Sequence, residues 1–316
     1  MRALSIPSPP SEWAQYPIGP FTLRAYALCL LVGIVVATIV TSRRLTARGA
    51  QPGVVVDFAL VVVPLALIGA RVYHVLTHPG DYFGEDIPWW RMFAIWEGGI
   101  AMVGSLIGGA IGVVIACRWT GIRFWSFADA LAPGLLLGQA IGRLGNWFNV
   151  ELYGQPTDLI WGLEVPTDNP AYPAGLPEGT LFHPTFLYEM VWNAAGALLI
   201  LAIDRKVRLR WGRAFALYCI WYGAGRSVFE SIRIDPTEVF LGLRVNVWAA
   251  FALVAIGVVI LLAARRHPGI EPSVYRRGRE WVPESAVGSR YTEADFEDDA
   301  AEDDRVPVTI GDAPRR

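Results

Sequence analysis

Polar residues in this chain gather into short clusters separated by long apolar runs, and the length of the runs says what they are. Seven stretches, at about 22–42, 54–76, 98–118, 124–147, 185–204, 212–230 and 245–264, are dominated by aliphatic, aromatic and small residues. A helix needs ~17–25 such residues to cross a bilayer. The pattern therefore predicts an all-α membrane protein with seven transmembrane helices over residues 1–266. Between the fourth and fifth runs, segment 148–184 carries Pro156, Pro166, Pro170, Pro173, Pro177 and Pro184 with several glycines. It reads as a small irregular cap outside the membrane, with short strands near Leu159–Val165. The first run is expected to be retained as a span, because Arg43, Arg44 and Arg48 follow it and no Ala-x-Ala cleavage site precedes them.

Charge placement orients the spans. Basic groups follow the first, third, fifth and seventh runs: Arg43, Arg44 and Arg48, then Arg118 and Arg123, then Arg205, Lys206, Arg208, Arg210 and Arg213, then Arg265 and Arg266. Segment 148–184 has no Lys or Arg, and 78–97 has only Arg91. The positive-inside rule places the basic side in the cytoplasm, so the N-terminus is expected outside and the C-terminus inside. Trp89, Trp90 and Trp96 resemble an interfacial aromatic belt. The chain is 53% hydrophobic and 18% charged, with 27 basic and 29 acidic residues. That near-balance hides two regions: residues 267–316 hold 7 basic and 12 acidic groups, leaving 20 and 17 for the rest. Eight carboxylates between Glu293 and Asp304 mark 267–316 as a disordered acidic cytoplasmic tail. Cys29, Cys117 and Cys219 lie far apart inside apolar runs and read as small buried hydrophobes, with no disulfide or metal site implied.

Candidate chemistry comes from ionisable groups inside the spans, which are costly there and mark function by default. At the end of the fourth run Gln139, Arg143 and Asn146 fall on one helical stripe, while Gly138, Gly142 and Gly145 form a small face for close packing. In the sixth run Tyr218, Tyr222, Arg226 and Glu230 recur every four residues, with Arg233 three further on. Both stripes lie toward the outer half of the membrane. Two guanidiniums there suit a phosphate diester, which accepts from their planar forks of donors. Asp57, Asp129, Arg71 with His74, and Glu189 with Asn193 read as interhelical pairs that fix the bundle. Gly104, Gly108 and Gly112 read as a packing face.

The segment Gly142-Arg143-Leu144-Gly145-Asn146-Trp147-Phe148-Asn149-Val150-Glu151-Leu152-Tyr153-Gly154 closely resembles the signature of bacterial prolipoprotein diacylglyceryl transferases. Further segments resemble the family in its own order. They are Tyr26 after Arg24-Ala25, Gly69-Ala70-Arg71-Val72-Tyr73, Trp96-Glu97-Gly98-Gly99, His183-Pro184-Thr185 with Leu187-Tyr188-Glu189, and Tyr222-Gly223 with Arg226, Glu230 and Arg233. The resemblance covers about residues 20–265.

It implies a seven-helix inner-membrane enzyme that moves diacylglyceryl from phosphatidylglycerol to the lipobox cysteine of a preprolipoprotein. A thioether forms and glycerol phosphate leaves, with no metal or organic cofactor. The family's essential arginines map to Arg143 and Arg226, and Tyr26, Asn146, Glu151 and Gly154 are expected to line the site. Tyr222 is expected to orient the headgroup, Glu230 and Arg233 to hold the guanidiniums, and His183 is a further candidate near the outer face. Many members carry a histidine where this chain has Val103, and a glutamine where it has Phe186. A monomer acting on membrane lipid, without nucleic acid, is expected. A divergent, inactive partner in lipoprotein processing and a small transporter stay as alternatives; a retinal protein does not, because Lys206, the sole lysine, falls beyond the fifth apolar run.

Overall fold

Seven long helices run back and forth through the structure, a computed structural model that describes residues 4–18, 21–84, 87–267 and 273–282. They are α1 (Ala25–Ala47), α2 (Val54–Thr77), α3 (Met102–Thr120), α4 (Phe124–Phe148), α5 (Thr185–Val207), α6 (Arg213–Ile232) and α7 (Val245–Ala264). Five of them, α1, α2, α3, α5 and α7, are long and apolar enough to cross a membrane. The polar stripes predicted for α4 and α6 set these two apart. Three antiparallel ribbons complete the order: β1 (Gln15–Ile18) with β2 (Phe21–Arg24), β3 (Leu163–Glu164) with β4 (Leu181–Phe182), and β5 (Val239–Phe240) with β6 (Leu243–Arg244).

Two boundaries differ from the apolar runs. The β1–β2 hairpin takes residues up to Arg24, so α1 starts later and extends to Ala47. Gly98 and Gly99 have φ of 94° and 69°, a left-handed backbone that a helix cannot hold, so α3 starts at Met102. Arg71 pins this approach: its guanidinium donates to the carbonyls of Arg91, Met92, Gly98 and Gly99, the last at 3.1 Å. Arg71 and His74 were expected to pair; each instead reaches loop groups, His74 meeting the Tyr82 hydroxyl at 3.2 Å.

Small residues set the helix spacing. A Cβ on Gly33 of α1 would lie 2.8 Å from the Gly138 carbonyl oxygen on α4, and one on Gly108 would lie 2.1 Å from that of Leu65 on α2. The GxxxGxxxG face thus packs α3 on α2, and the Gly138/Gly142/Gly145 face packs α4 on α1, as backbone-to-backbone contact requires. Asp129, fully buried on α4, accepts from the backbone N–H groups of Gly212, Ala214 and Phe215. It satisfies orphan donors at the start of α6 and so ties α4 to α6.

The cap has its own apolar core of Tyr153, Leu163, Val165, Phe182 and Phe186. Phe186, at the position of the family glutamine, fills it beside Trp147, ring centroids 6.3 Å apart. The strand expected near Leu159–Val165 is β3, and residues 5–8 join the cap: Ile6 bonds to Gly162 and Glu164, and Trp147 Nε1 donates to the Pro7 carbonyl. At the opposite end of the bundle, the reading of 267–316 as structureless needs a correction for 273–279. Val274 and Tyr275 are buried against Leu45, Phe58 and Ile122, and Arg123 N–H donates to the Val274 carbonyl. Two apolar side chains among arginines form an anchor too short for hydropathy to register. The carboxylate run Glu293–Asp304 lies outside the described residues.

Candidate functional site

At the end of the bundle that carries the cap, α1, α4 and α6 enclose a cavity of about 450 Å³. Its wall changes character along its depth. Arg143, Arg226, Arg233, Asn146 and Tyr26 lie toward one end, Gln139 and Tyr222 about a turn deeper, and Leu30, Ile34 and Leu135 toward the middle of the bundle. The helical period of 3.6 produces this order, because Leu135, Gln139 and Arg143 are each four residues apart on one face of α4. Met102, at the start of α3, closes one side.

The guanidiniums are held by buried carboxylates. Glu189 of α5 lies between the two predicted arginines, its Oε2 at 2.5 Å from Arg143 and 3.6 Å from Arg226. Glu230 is fully buried. It receives Arg226 at 2.7 Å, Arg233 at 3.3 Å, Arg244 at 2.9 Å and the Asn246 amide at 2.8 Å. Asp235 ends the chain of ion pairs, 2.7 Å from Arg233 and 3.0 Å from Arg244. A buried charge without a partner costs several kcal/mol, and this alternation of cations and anions lets three arginines face a cavity within the bundle. Four guanidiniums meet three carboxylates in it, and Glu151 adds a fourth carboxylate beside Arg143 through Asn146.

Beyond the end of α6, burial works against the Arg233 charge, but the Asp235 hydrogen bond and the Glu230 and Asp235 carboxylates outweigh it and raise its pKa. Burial likewise pushes Asp235 upward, but the Arg233 hydrogen bond and the Arg233 and Arg244 charges win and hold its carboxyl below the ordinary range.

Asn146 links the arginines to the signature turn. Its Oδ1 accepts from Arg143 at 3.4 Å and its Nδ2 donates to Glu151 at 3.0 Å, while Asn149 also donates to Glu151 at 3.1 Å. Glu151 sits between Val150 and Leu152, whose φ angles are 48° and 60°. A β-branched residue in that region is strained. The turn is held by Asn169 donating to the Val150 carbonyl, Thr185 donating to the Leu152 carbonyl and Glu151 N–H donating to the Asn146 carbonyl.

Six of the ten residues predicted from sequence line the cavity: Tyr26, Arg143, Asn146, Tyr222, Arg226 and Arg233. The other four lie behind or beside its wall. Glu230 and Glu151 bond to residues that line it. Gly154 is a close approach, since a Cβ there would meet His183 Cβ at 2.8 Å and the Ile232 carbonyl at 3.0 Å; its strand contact with Arg233 ties the cap to the end of α6. His183 turns its ring to the Tyr188 hydroxyl at 3.1 Å and does not line the cavity. Val103, at the position of the family histidine, is half exposed. Glu189, Arg244, Asn246 and Asp235 were missed as site residues. Two arginines inside apolar runs call for a counter-ion, and Glu189, read as an interhelical pair with Asn193, is the acid that the first half of the fifth run offered.

The sequence profile of the prolipoprotein diacylglyceryl transferase family matches residues 14–263. The chain is 60% identical over 300 residues to the phosphatidylglycerol–prolipoprotein diacylglyceryl transferase of Leifsonia xyli, covering 92% of this chain and 90% of that one. It is 44% identical to the protein of that name from Streptomyces griseus, covering 92% and 86%. The one from Bifidobacterium adolescentis is 44% identical, covering 84% and 82%.

Proposed function

The chain belongs to the prolipoprotein diacylglyceryl transferase family, and from that membership we propose that it transfers diacylglyceryl from phosphatidylglycerol to the lipobox cysteine thiol of preprolipoproteins, the first step of lipoprotein maturation. The observation that carries this is the cavity itself, with a cluster of guanidiniums at one end and aliphatic side chains at the other. It matches the order of charge and grease in a phospholipid.

All seven helices span the membrane in this reading. At 1.5 Å per residue α4 is roughly 37 Å long and α6 roughly 30 Å, enough for a ~30 Å hydrocarbon core. Their polar faces turn inward onto the cavity and each other, so lipid meets little of them. The basic clusters place the opposite end of the bundle in the cytoplasm and the cap outside.

Arg143 and Arg226 bind the lipid phosphate, and Asn146, Tyr26 and Tyr222 orient the headgroup. The cysteine sulfur forms a bond to the glycerol carbon that bears the phosphate, the C–O bond breaks, and its electron pair leaves on the phosphate oxygen of glycerol phosphate. The thiol proton passes to water at the outer face. Charge grows on the phosphate as the bond breaks, and guanidiniums fixed by Glu189 and Glu230 stabilise it without reorganising. No histidine or carboxylate is among the described residues that line the cavity. A thiol with pKa ~8.5 is already a few per cent ionised at neutral pH, and nearby guanidiniums increase that share. His183, held by Tyr188, is assigned no proton transfer.

Purified protein in phosphatidylglycerol vesicles tests the reading with a lipobox peptide. A peptide heavier by one diacylglyceryl group on cysteine, and no product when serine replaces that cysteine, is expected. Unmodified cysteine peptide with active-site arginines intact overturns it in favour of a non-catalytic partner.

A further inference from the structure

One helical turn deeper than Arg143, the cavity wall presents Gln139, whose Nε2 donates to the Tyr218 hydroxyl at 3.0 Å. An amide nitrogen carries two N–H donors, so this bond leaves one unused. The Gln139 Oε1 atom is buried with no partner. On the facing helix α5, Asn193 lies one turn from Glu189 as Gln139 lies one turn from Arg143. Asn193 is 2% exposed, and its Nδ2 has no partner either. A buried polar group left unpaired is costly. Gln139 is a carboxamide in a wall that is aliphatic below it, and an amide N–H left over there needs an explanation other than packing.

Distance supplies one. Four residues of α4 advance about 6 Å, so the wall passes from guanidinium at Arg143 to carboxamide at Gln139 to aliphatic at Leu135 in equal steps. A diacyl phospholipid presents phosphate, ester carbonyls and hydrocarbon in that order and on that scale. We propose that Gln139, held by the Tyr218 hydroxyl, is the residue that recognises an ester carbonyl of the lipid donor, and that it makes the site select ester-linked over ether-linked lipid. This rests on the transferase reading and adds to it a specificity-determining contact. A dialkyl lipid has no carbonyl oxygen at that position and leaves the amide N–H unpaired, a penalty that disfavours the analogue more than the bare loss of one contact.

The test compares transfer from diacyl and dialkyl phosphatidylglycerol to the lipobox peptide, in the wild type and in Gln139→Met and Gln139→Glu. The wild type is expected to use the diester with a kcat/KM roughly three- to tenfold higher, the size of one neutral hydrogen bond. Gln139→Met should bring the ratio to about one by losing rate on the diester alone. Gln139→Glu, which keeps the side-chain shape and puts an acceptor toward the carbonyl, should also abolish the preference, and it serves where the Met variant does not fold. Equal use of both lipids by the wild type, or an undiminished ester preference in either variant, overturns this inference alone. Transfer from neither lipid by the wild type overturns the transferase reading and this inference with it.

Discussion

Replacing Glu230 with Gln should destabilise the protein more than any other conservative change at the site. The carboxylate is fully buried, and three guanidiniums at 2.7, 2.9 and 3.3 Å converge on it with the Asn246 amide. Gln keeps the volume but removes the charge and turns an NH₂ group toward cations. Removing one partner of a buried ion pair costs about 3–5 kcal/mol, a large share of a typical total of about 5–15 kcal/mol. At ~2–4 °C per kcal/mol, the midpoint of thermal unfolding in detergent should fall by about 10 °C. Glu164→Gln in the cap, where the partner is the Ser5 hydroxyl, is the control and should move it by under ~2 °C. A double-mutant cycle with Arg244→Met should show coupling of about 1–3 kcal/mol, because removing Arg244 deletes one of the charges that Glu230 neutralises. A Glu230→Gln midpoint within ~2 °C of wild type would refute the view that these arginines depend on a buried counter-ion.

Three further outcomes follow from other contacts. Glu189→Gln leaves Arg143 and Arg226 without their shared anion, so steady-state kinetics should show a lower KM for phosphatidylglycerol and a kcat reduced at least tenfold; a raised KM contradicts the counter-ion role. Trp192 and Trp221 stack at 4.3 Å, each indole donating to the other's carbonyl, over Gly225 and Gly196. A Cβ on Gly225 would lie 2.2 Å from Trp192, so Gly225→Val should cost about 1–3 kcal/mol or more in detergent unfolding, and an unchanged midpoint counts against this clasp. Asp235 has a folded pKa below its unfolded value of ~3.9, so its stabilisation is complete above that value and is lost as pH falls through the folded pKa. Asp235→Asn should therefore lower the midpoint at pH 7 and converge with wild type toward pH 3; a deficit that persists undiminished at pH 3 contradicts that linkage.

Long apolar runs made the helices legible, and glycine spacing made the packing faces of α3 and α4 legible, since both are local patterns, while the partner helices were not. Arg143 and Arg226 stood out because guanidiniums are rare in such runs. What escaped was set by tertiary placement. Glu189 read as a bundle pair because nothing local says that its helix faces both arginines. Arg244 ends the short β5–β6 ribbon, whose two-residue strands carry no periodicity, and Asn246 follows it. Val150 and Leu152 gave no sign of left-handed backbone, since neither is a residue that prefers it. Tyr275, a single aromatic among charges, gave no sign of docking.

Transfer from labelled phosphatidylglycerol by Arg143→Gln and Arg226→Gln, each assayed in membranes at matched protein levels, bears most directly on the assignment of the site. Loss of transfer in both variants, with folded protein retained, is the expected result, because each guanidinium faces the cavity where phosphate charge develops. Near-normal turnover in either variant would contradict it.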